Sequence, residues 1–176
     1  MKTMKTGILV LTFLFGVSIN GQCLEKGDNI IDLSFGGPGF SDYFSNNTLQ
    51  FGPITGKVEH MFTDNVGVGV DINFQENSSI YHDYLNSDQD YKQEEQIIRF
   101  MATLNFHLTT TEDFDTYLLI GSGYISNNST VDDGPIPYTL RIGVGARYFI
   151  TKGLGLNLEF GAGGGSILQG GLTFKL

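Results

Sequence analysis

The sequence predicts an all-β protein, eight antiparallel strands closed in up-and-down order into a transmembrane β-barrel. Three observations carry this. An apolar stripe recurs at every second residue through four long segments. The connections between segments alternate between short and long. The composition, with 24 Gly, 4 Pro and no Trp, suits strands and tight turns better than helices.

The chain opens with Lys2 and Lys5 ahead of an apolar run from Ile8 to Phe15, followed by Gly16, Ser18, Asn20 and Gly21. This is the pattern of a secretory signal peptide, and the run falls short of the about 20 residues that a membrane-spanning helix needs. Residues 1–21 are therefore expected to be removed, leaving one domain over 22–176. Asn20-Gly21-Gln22 lacks the small residue expected just ahead of a lipidated cysteine, so Cys23 reads as a lone thiol. One cysteine cannot close an intrachain disulfide, and stability must come from elsewhere. Without Lys2 and Lys5, 8 basic side chains face 19 acidic ones, a net charge near −11 that argues against nucleic acid as a partner.

Between Asn65 and Glu76 the even positions are Val66, Val68, Val70, Ile72 and Phe74, and the odd ones Gly67, Gly69, Asp71, Asn73 and Gln75. Such alternation makes a strand with one apolar and one polar face. The stripe returns at Ile98 to Leu108, at Tyr138 to Ile150 and at Leu154 to Ala162. Weaker segments, Asn29 to Gly36, Thr55 to Phe62, Phe114 to Ser126 and Ile167 to Leu176, complete the eight. Each is near the about 9 to 11 residues of a tilted membrane strand. Thr63-Asp64-Asn65, Thr109 to Asp113 and Thr151-Lys152-Gly153 are short connections, whereas Gly37 to Thr48, Asn77 to Glu95 and Asn127 to Pro137 are long and polar; Gly163 to Ser166 is a brief exception on the long side.

Aromatics fall at two depths of the apolar face, as interface girdles require. Phe62, Phe106, Phe114, Tyr148 and Phe174 lie at the short-turn level, and Phe35, Phe74, Tyr124 and Tyr138 at the level of the long connections. The polar face would then line the interior, which in an eight-stranded barrel is just wide enough for side chains to fill. Lys57, Arg99, Arg141, Arg147 and Lys175 would meet Glu59, Asp71, Glu159 and Asp32 there. Charges withdrawn from water demand partners, so mixed signs on one face predict an internal ion-pair network rather than an ion pathway.

The last residues, Gln169 to Leu176, resemble the C-terminal assembly signal of bacterial outer-membrane barrels, with Gln169, Gly171, Phe174 and Leu176 in the specified places. Gly143 to Thr151, followed by Gly155 to Glu159, resembles the closing hairpins of the small outer-membrane β-barrel family common in Bacteroidota, similar to the transmembrane domains of OmpA-like and OmpX-like proteins. The resemblance covers essentially the whole chain after residue 21. It implies a monomer in the outer membrane of a Gram-negative bacterium. Its implied partners are outer-membrane lipid, lipopolysaccharide and the outer-membrane assembly machinery. It supplies no catalytic residues and no cofactor, and a peptidoglycan-binding domain of the kind found in full OmpA-like proteins is not expected.

A lipid hydrolase needs a nucleophile, a base and an orienting acid within reach of one another. Ser122 would face lipid, while His60 and His107 fall near the short turns and His82 in a long connection, so no catalytic set is expected. Gly67-Val68-Gly69 and Gly143-Val144-Gly145 lie inside strands with no helix behind them to hold a phosphate. Asp88-Gln89-Asp90 and Asp132-Asp133 lack the rest of a calcium loop. A soluble lipocalin-like carrier of an apolar ligand is the alternative, because periodicity alone does not say which face points inward.

Function is expected in the loops. The segment from Asn77 to Glu95 is the longest connection, and in it Tyr81, Tyr84 and Tyr91 interleave with His82, Asp83, Asp88, Asp90, Glu94 and Glu95 against Lys92. Tyrosines among polar residues supply contact area at low entropic cost, which makes Tyr81, His82, Asp83, Tyr84 and Tyr91 the candidate interaction loop.

Overall fold

A computed structural model describes residues 22–39, 47–82, 90–127 and 137–176, with backbone alone at 47–48, 79–82, 90–93 and 127. The described residues form eight strands: β1 (Asn29–Gly36), β2 (Asn47–Thr63), β3 (Val66–His82), β4 (Asp90–Thr110), β5 (Phe114–Asn127), β6 (Tyr138–Phe149), β7 (Leu154–Gly163) and β8 (Leu168–Lys175). Each pairs antiparallel with the next, and β1 pairs antiparallel with β8, so the sheet closes. Closure removes both sheet edges and satisfies every ladder within the ring. Leu176 lies just past β8, but its amide still donates to the Asn29 carbonyl at 2.8 Å.

Alternation decides which face goes where. Val70, Ile72, Ile142, Leu158 and Phe160 are more than half exposed, whereas Lys57, Glu59, Asp71, Arg141, Arg147 and Glu159 are almost wholly buried. This inverts a water-soluble protein and excludes the apolar interior of a lipocalin-like carrier. The aromatic levels carry outward rings at Phe35, Phe62, Phe106, Phe114, Tyr124, Tyr138 and Tyr148. Phe51, ahead of the segment expected to be the second strand, joins the upper level, its ring centroid 6.4 Å from both Phe35 and Phe74.

The connections are the main correction to the sequence reading. Asn77 to Glu95 is not one continuous loop, because β3 runs on to His82 and β4 starts at Asp90, with Asn77 opposite Glu95, Tyr81 opposite Tyr91 and His82 opposite Asp90. Likewise β2 starts at Asn47, eight residues ahead of the expected Thr55. The physical reason is that the apolar stripe ends where the strands leave the hydrocarbon. Beyond that point neither face is apolar, and a two-sided polar strand has no period-2 signature. β1 pairs with β2 only as far as Phe35 opposite Ile54, and β5 with β4 only as far as Asn127 opposite Ile97. Past these pairs β2, β3 and β4 continue as a three-stranded sheet beyond the closed ring.

The short-turn mouth has a closure that sequence periodicity does not reveal. Residues 22–28 cross beneath it: the Cys23 amide donates to the Thr111 carbonyl at 2.7 Å, Gly27 to Met61 at 2.8 Å, and Met61 back to Asp28 at 2.9 Å. Lys175 Nζ donates to the Cys23 carbonyl at 2.8 Å and lies 3.4 Å from Asp28 Oδ2. Leu24 is fully buried and clusters with Cys23, Ile30, Met61 and Phe149, an apolar plug at the end of a polar lumen. Burial pushes the Cys23 thiol up to about 12.

Two outcomes are expected. Val68→Arg or Val144→Arg, each placing a cation in the hydrocarbon band, should cost about 2 to 4 kcal/mol in detergent or vesicle unfolding titrations. Cys23, buried and with its thiolate disfavoured, should react with iodoacetamide at neutral pH far more slowly in the folded barrel than in urea, as followed by mass spectrometry; equal rates would show that the segment does not seal the mouth.

Candidate functional site

The odd-numbered polar residues of β2 to β8 and the even ones of β1 point into the lumen, where they stack in layers. At the short-turn end Arg147 is the hub. Its Nη2 donates to Asp32 Oδ2 at 2.7 Å and Glu59 Oε2 at 2.6 Å, and its Nη1 lies 3.4 Å from Asp115 Oδ2. His107 stands between two of the same carboxylates, Nδ1 at 2.8 Å from Asp115 and Nε2 at 2.9 Å from Glu59. A ring protonated on both nitrogens donates to both. Asp32 also accepts from the Thr173 hydroxyl. The Arg147 guanidinium lies 4.4 Å from the centre of the Tyr117 ring, a desolvated cation–π contact.

Tyr117 links this layer to the next. Its hydroxyl donates to Glu159 Oε1 at 2.6 Å, the oxygen that also accepts from Lys57 Nζ. Glu159 Oε2 accepts from Arg141 Nη2 at 3.2 Å and Gln169 Nε2 at 2.7 Å. Glu159 thus holds both carboxylate oxygens between donors from β2, β5, β6 and β8. Asp71 is held more loosely: Thr103 Oγ1 is 3.5 Å from its Oδ1, and its Oδ2 has no protein partner among the described residues.

The long-connection end closes with polar groups. Arg99 Nη1 donates to Asn73 Oδ1 at 3.0 Å and Gln75 Oε1 at 2.9 Å. Arg141 Nη1 donates to the carbonyls of Gly163 and Ser166, each at 3.1 Å. The turn that receives it, Gly163-Gly164-Gly165, has φ of 78°, 65° and 94°, and a Cβ on Gly164 or Gly165 would run into the side chains of Arg141 or Arg99. Glycine allows this left-handed turn to fold down onto the two arginines. It acts as a lid, and Ser166 beneath it is 1 % exposed.

The structure therefore brings Lys57, Glu59, Asp71, Arg99, Arg141, Arg147 and Glu159 into one lumen, with Asp32 among them. Lys175 is the exception: it sits a quarter exposed at the short-turn rim and binds the crossing segment, because its strand has already reached the mouth. Sequence reasoning passed over His107, Asp115 and Tyr117 as members, although all three hold odd, inward positions on β4 and β5. The glycines divide. Gly67 and Gly145 leave room for Glu59 and Tyr117, whereas a Cβ on Gly143, Gly155, Gly161 or Gly171 would strike the neighbouring strand's backbone.

Of the assembly-signal residues, Gln169 points inward onto Glu159 and Thr55, a Cβ on Gly171 would lie 1.9 Å from the Leu33 carbonyl, and Phe174 and Leu176 face outward. Of the interaction-loop residues, Tyr81, His82 and Tyr91 lie on strand backbone, and Asp83 and Tyr84 fall outside the described residues. Ser122 faces outward while His107 faces inward, so the barrel wall separates them; His60 pairs with Asn29 at 3.0 Å.

Glu159→Gln should cost about 3 to 5 kcal/mol, since it leaves Lys57 and Arg141 buried beside a neutral group. Asp71→Asn should cost clearly less, because one weak contact is at stake. Urea unfolding followed by the gel mobility of unheated samples checks the order; the reverse order would show that Glu159 is not the anchor.

The comparisons agree with this architecture. The family model of the outer membrane protein β-barrel domain matches residues 9–171. The N-terminal β-barrel domain of OprF from Pseudomonas aeruginosa superposes with a TM-score of 0.53 at 14 % identity, covering 87 % of this chain and 100 % of that one. OprG from the same organism gives 0.58 at 13 % identity over 90 % and 99 %. Ail from Yersinia pestis, in a phospholipid nanodisc, gives 0.50 at 13 % identity over 86 % and 100 %. No curated protein sequence matches the chain. At these identities the neighbours speak to the fold, and the family match to membership: the chain belongs to the outer membrane protein β-barrel domain family and resides in the outer membrane of a Gram-negative bacterium.

Proposed function

We propose that this outer-membrane barrel has a structural and surface-interaction role rather than a catalytic or conducting one. The observation that carries the reading is the filled lumen. Arg147, Tyr117, Lys57 and Glu159 cross it in successive layers, the Gly163–Gly165 turn covers one end and residues 22–28 the other. A barrel of eight strands has little space left once such side chains meet at its axis. Short turns face the periplasm and long connections the outside in barrels of this kind. Among the described residues, the projecting β2–β3–β4 sheet is then the surface that extends past the closed ring. The sequence between Tyr81 and Glu95, part of it on the ends of β3 and β4, interleaves tyrosines and carboxylates, a composition suited to contact with a macromolecular partner. Lipid and lipopolysaccharide surround the barrel wall, and the outer-membrane assembly machinery would read the β8 signal.

The test shortens the projection. Replacing residues 77–95 by a Gly-Ser turn that joins the paired Glu76 and Gln96 should leave the heat-dependent gel shift intact. Adhesion of whole cells to extracellular-matrix proteins, or adsorption of phage, should fall relative to the full chain; identical binding by both forms would remove the projection from consideration. Planar-bilayer recordings should show no large steady conductance, and a large one would overturn the closed lumen.

A further inference from the structure

The hydrocarbon-facing wall has a groove of about 640 Å³ on β3 to β6. Its origin can be read across the ladder. Val70 pairs with Ala102, Ala102 with Ser122, and Ser122 with Leu140. Two small side chains therefore stand together between two large ones. One level higher the row is Ile72, Phe100, Tyr124 and Tyr138, and one level lower Val68, Leu104, Ile120 and Ile142. Tyr138 and Leu140 stand well clear of the wall, at 72 % and 73 % exposure. The dent over Ala102 and Ser122 is thus lined by Val70, Ile72, Phe100, Tyr124 and Tyr138. The backbones of Met101 and Gly123 reach its floor.

We infer that this groove holds the acyl chain of a single phospholipid, with the lipid's polar head at the hydroxyls of Tyr124 and Tyr138. The groove is continuous with the lipid interface that surrounds the barrel, so an acyl chain is the occupant already at hand. Its volume lies in the range of small-molecule sites, about 300 to 1,000 Å³. The distribution of polarity matches one lipid molecule: an apolar trough in the hydrocarbon and two phenols at the interface level, where tyrosines anchor to headgroups. A second copy of the chain fits less well. A two-fold contact would set two concave surfaces face to face and leave both dents empty, forfeiting the packing contacts that drive association in lipid.

The experiment reconstitutes the full chain in phosphatidylethanolamine–phosphatidylglycerol vesicles containing a trace of phospholipid with a diazirine in its acyl chain. After irradiation, adducts are mapped by mass spectrometry. Adducts should concentrate on residues 98–104 and 120–124, several-fold above those on β1, β2 and β8 around Leu33, Val58 and Leu172. Ala102→Leu combined with Ser122→Leu fills the trough with groups that hydrocarbon welcomes, so the barrel should still form and show its heat-dependent gel shift, while the groove adducts drop to the level of the rest of the wall. Adducts spread evenly around the unmodified barrel would overturn the inference, as would an unchanged adduct pattern in the double variant. Chain-to-chain cross-links at the groove that vanish in the double variant would assign it to a dimer instead. The map on the unmodified protein stands as a test even if the double variant fails to assemble.

Discussion

The constraint on which this structure depends is that ionised side chains withdrawn from water must find partners inside a space just wide enough for side chains to fill. Arg147 meets it by holding Asp32, Glu59 and Asp115 together, three residues brought from β1, β2 and β5. Glu159 meets it from the opposite sign, gathering Lys57, Arg141, Tyr117 and Gln169. Each hub draws on strands far apart in sequence, so the lumen is assembled only when the ring closes. A buried ion pair is not in itself a source of stability, since desolvation offsets much of the attraction. Its effect here is on register: shifting any strand by one residue would put these charges into hydrocarbon. Among the described residues the buried lumen carries five carboxyl groups, Asp32, Glu59, Asp71, Asp115 and Glu159, against four basic side chains, Lys57, Arg99, Arg141 and Arg147. His107, in contact with two of the carboxylates, is placed to even the count.

Glycine is the complement of this constraint. Bulky groups cannot meet at the axis unless other positions stay empty, and Gly67 and Gly145 are empty beside Glu59 and Tyr117. The same residue type does different work at Gly143, Gly161 and Gly171, where it lets adjacent backbones approach. In the Gly163–Gly165 turn it accepts a left-handed backbone so that the turn can descend onto Arg99 and Arg141. The lid and the crossing segment at the other mouth use opposite means, carbonyls that satisfy guanidinium groups at one end and a small apolar cluster at the other. Among the described residues, the glycine turn thus lies over one mouth and residues 22–28 across the other.

Much of this was legible in the sequence, and the exceptions are physical. The charged lumen residues could be read because a membrane strand must alternate: Arg99, Arg141, Arg147, Glu159 and Asp71 all sit opposite an apolar stripe. His107, Asp115 and Tyr117 carried the same parity signal. They went unread because a histidine, an aspartate and a tyrosine near a turn look like surface residues until their carboxylate and cation partners are in place. The projection was misread as a loop because strands in water on both faces lose their alternation. Lys175 has the right parity but the wrong depth, and depth follows from the register between β8 and β1, not from sequence spacing.

By itself the sequence determined the inversion of polarity, the number of strands, the two aromatic levels and the short-and-long rhythm of the connections, because each is a local consequence of chain segments crossing a slab of hydrocarbon. Only the tertiary structure decided which charge meets which, that Arg147 and Glu159 are the hubs, that residues 22–28 and the glycine turn lie across the mouths, and that Ala102 and Ser122 leave a groove in the wall. Those features depend on side chains from different strands arriving at one point. That arrival is set by strand register and closure of the ring, which no single strand's sequence records.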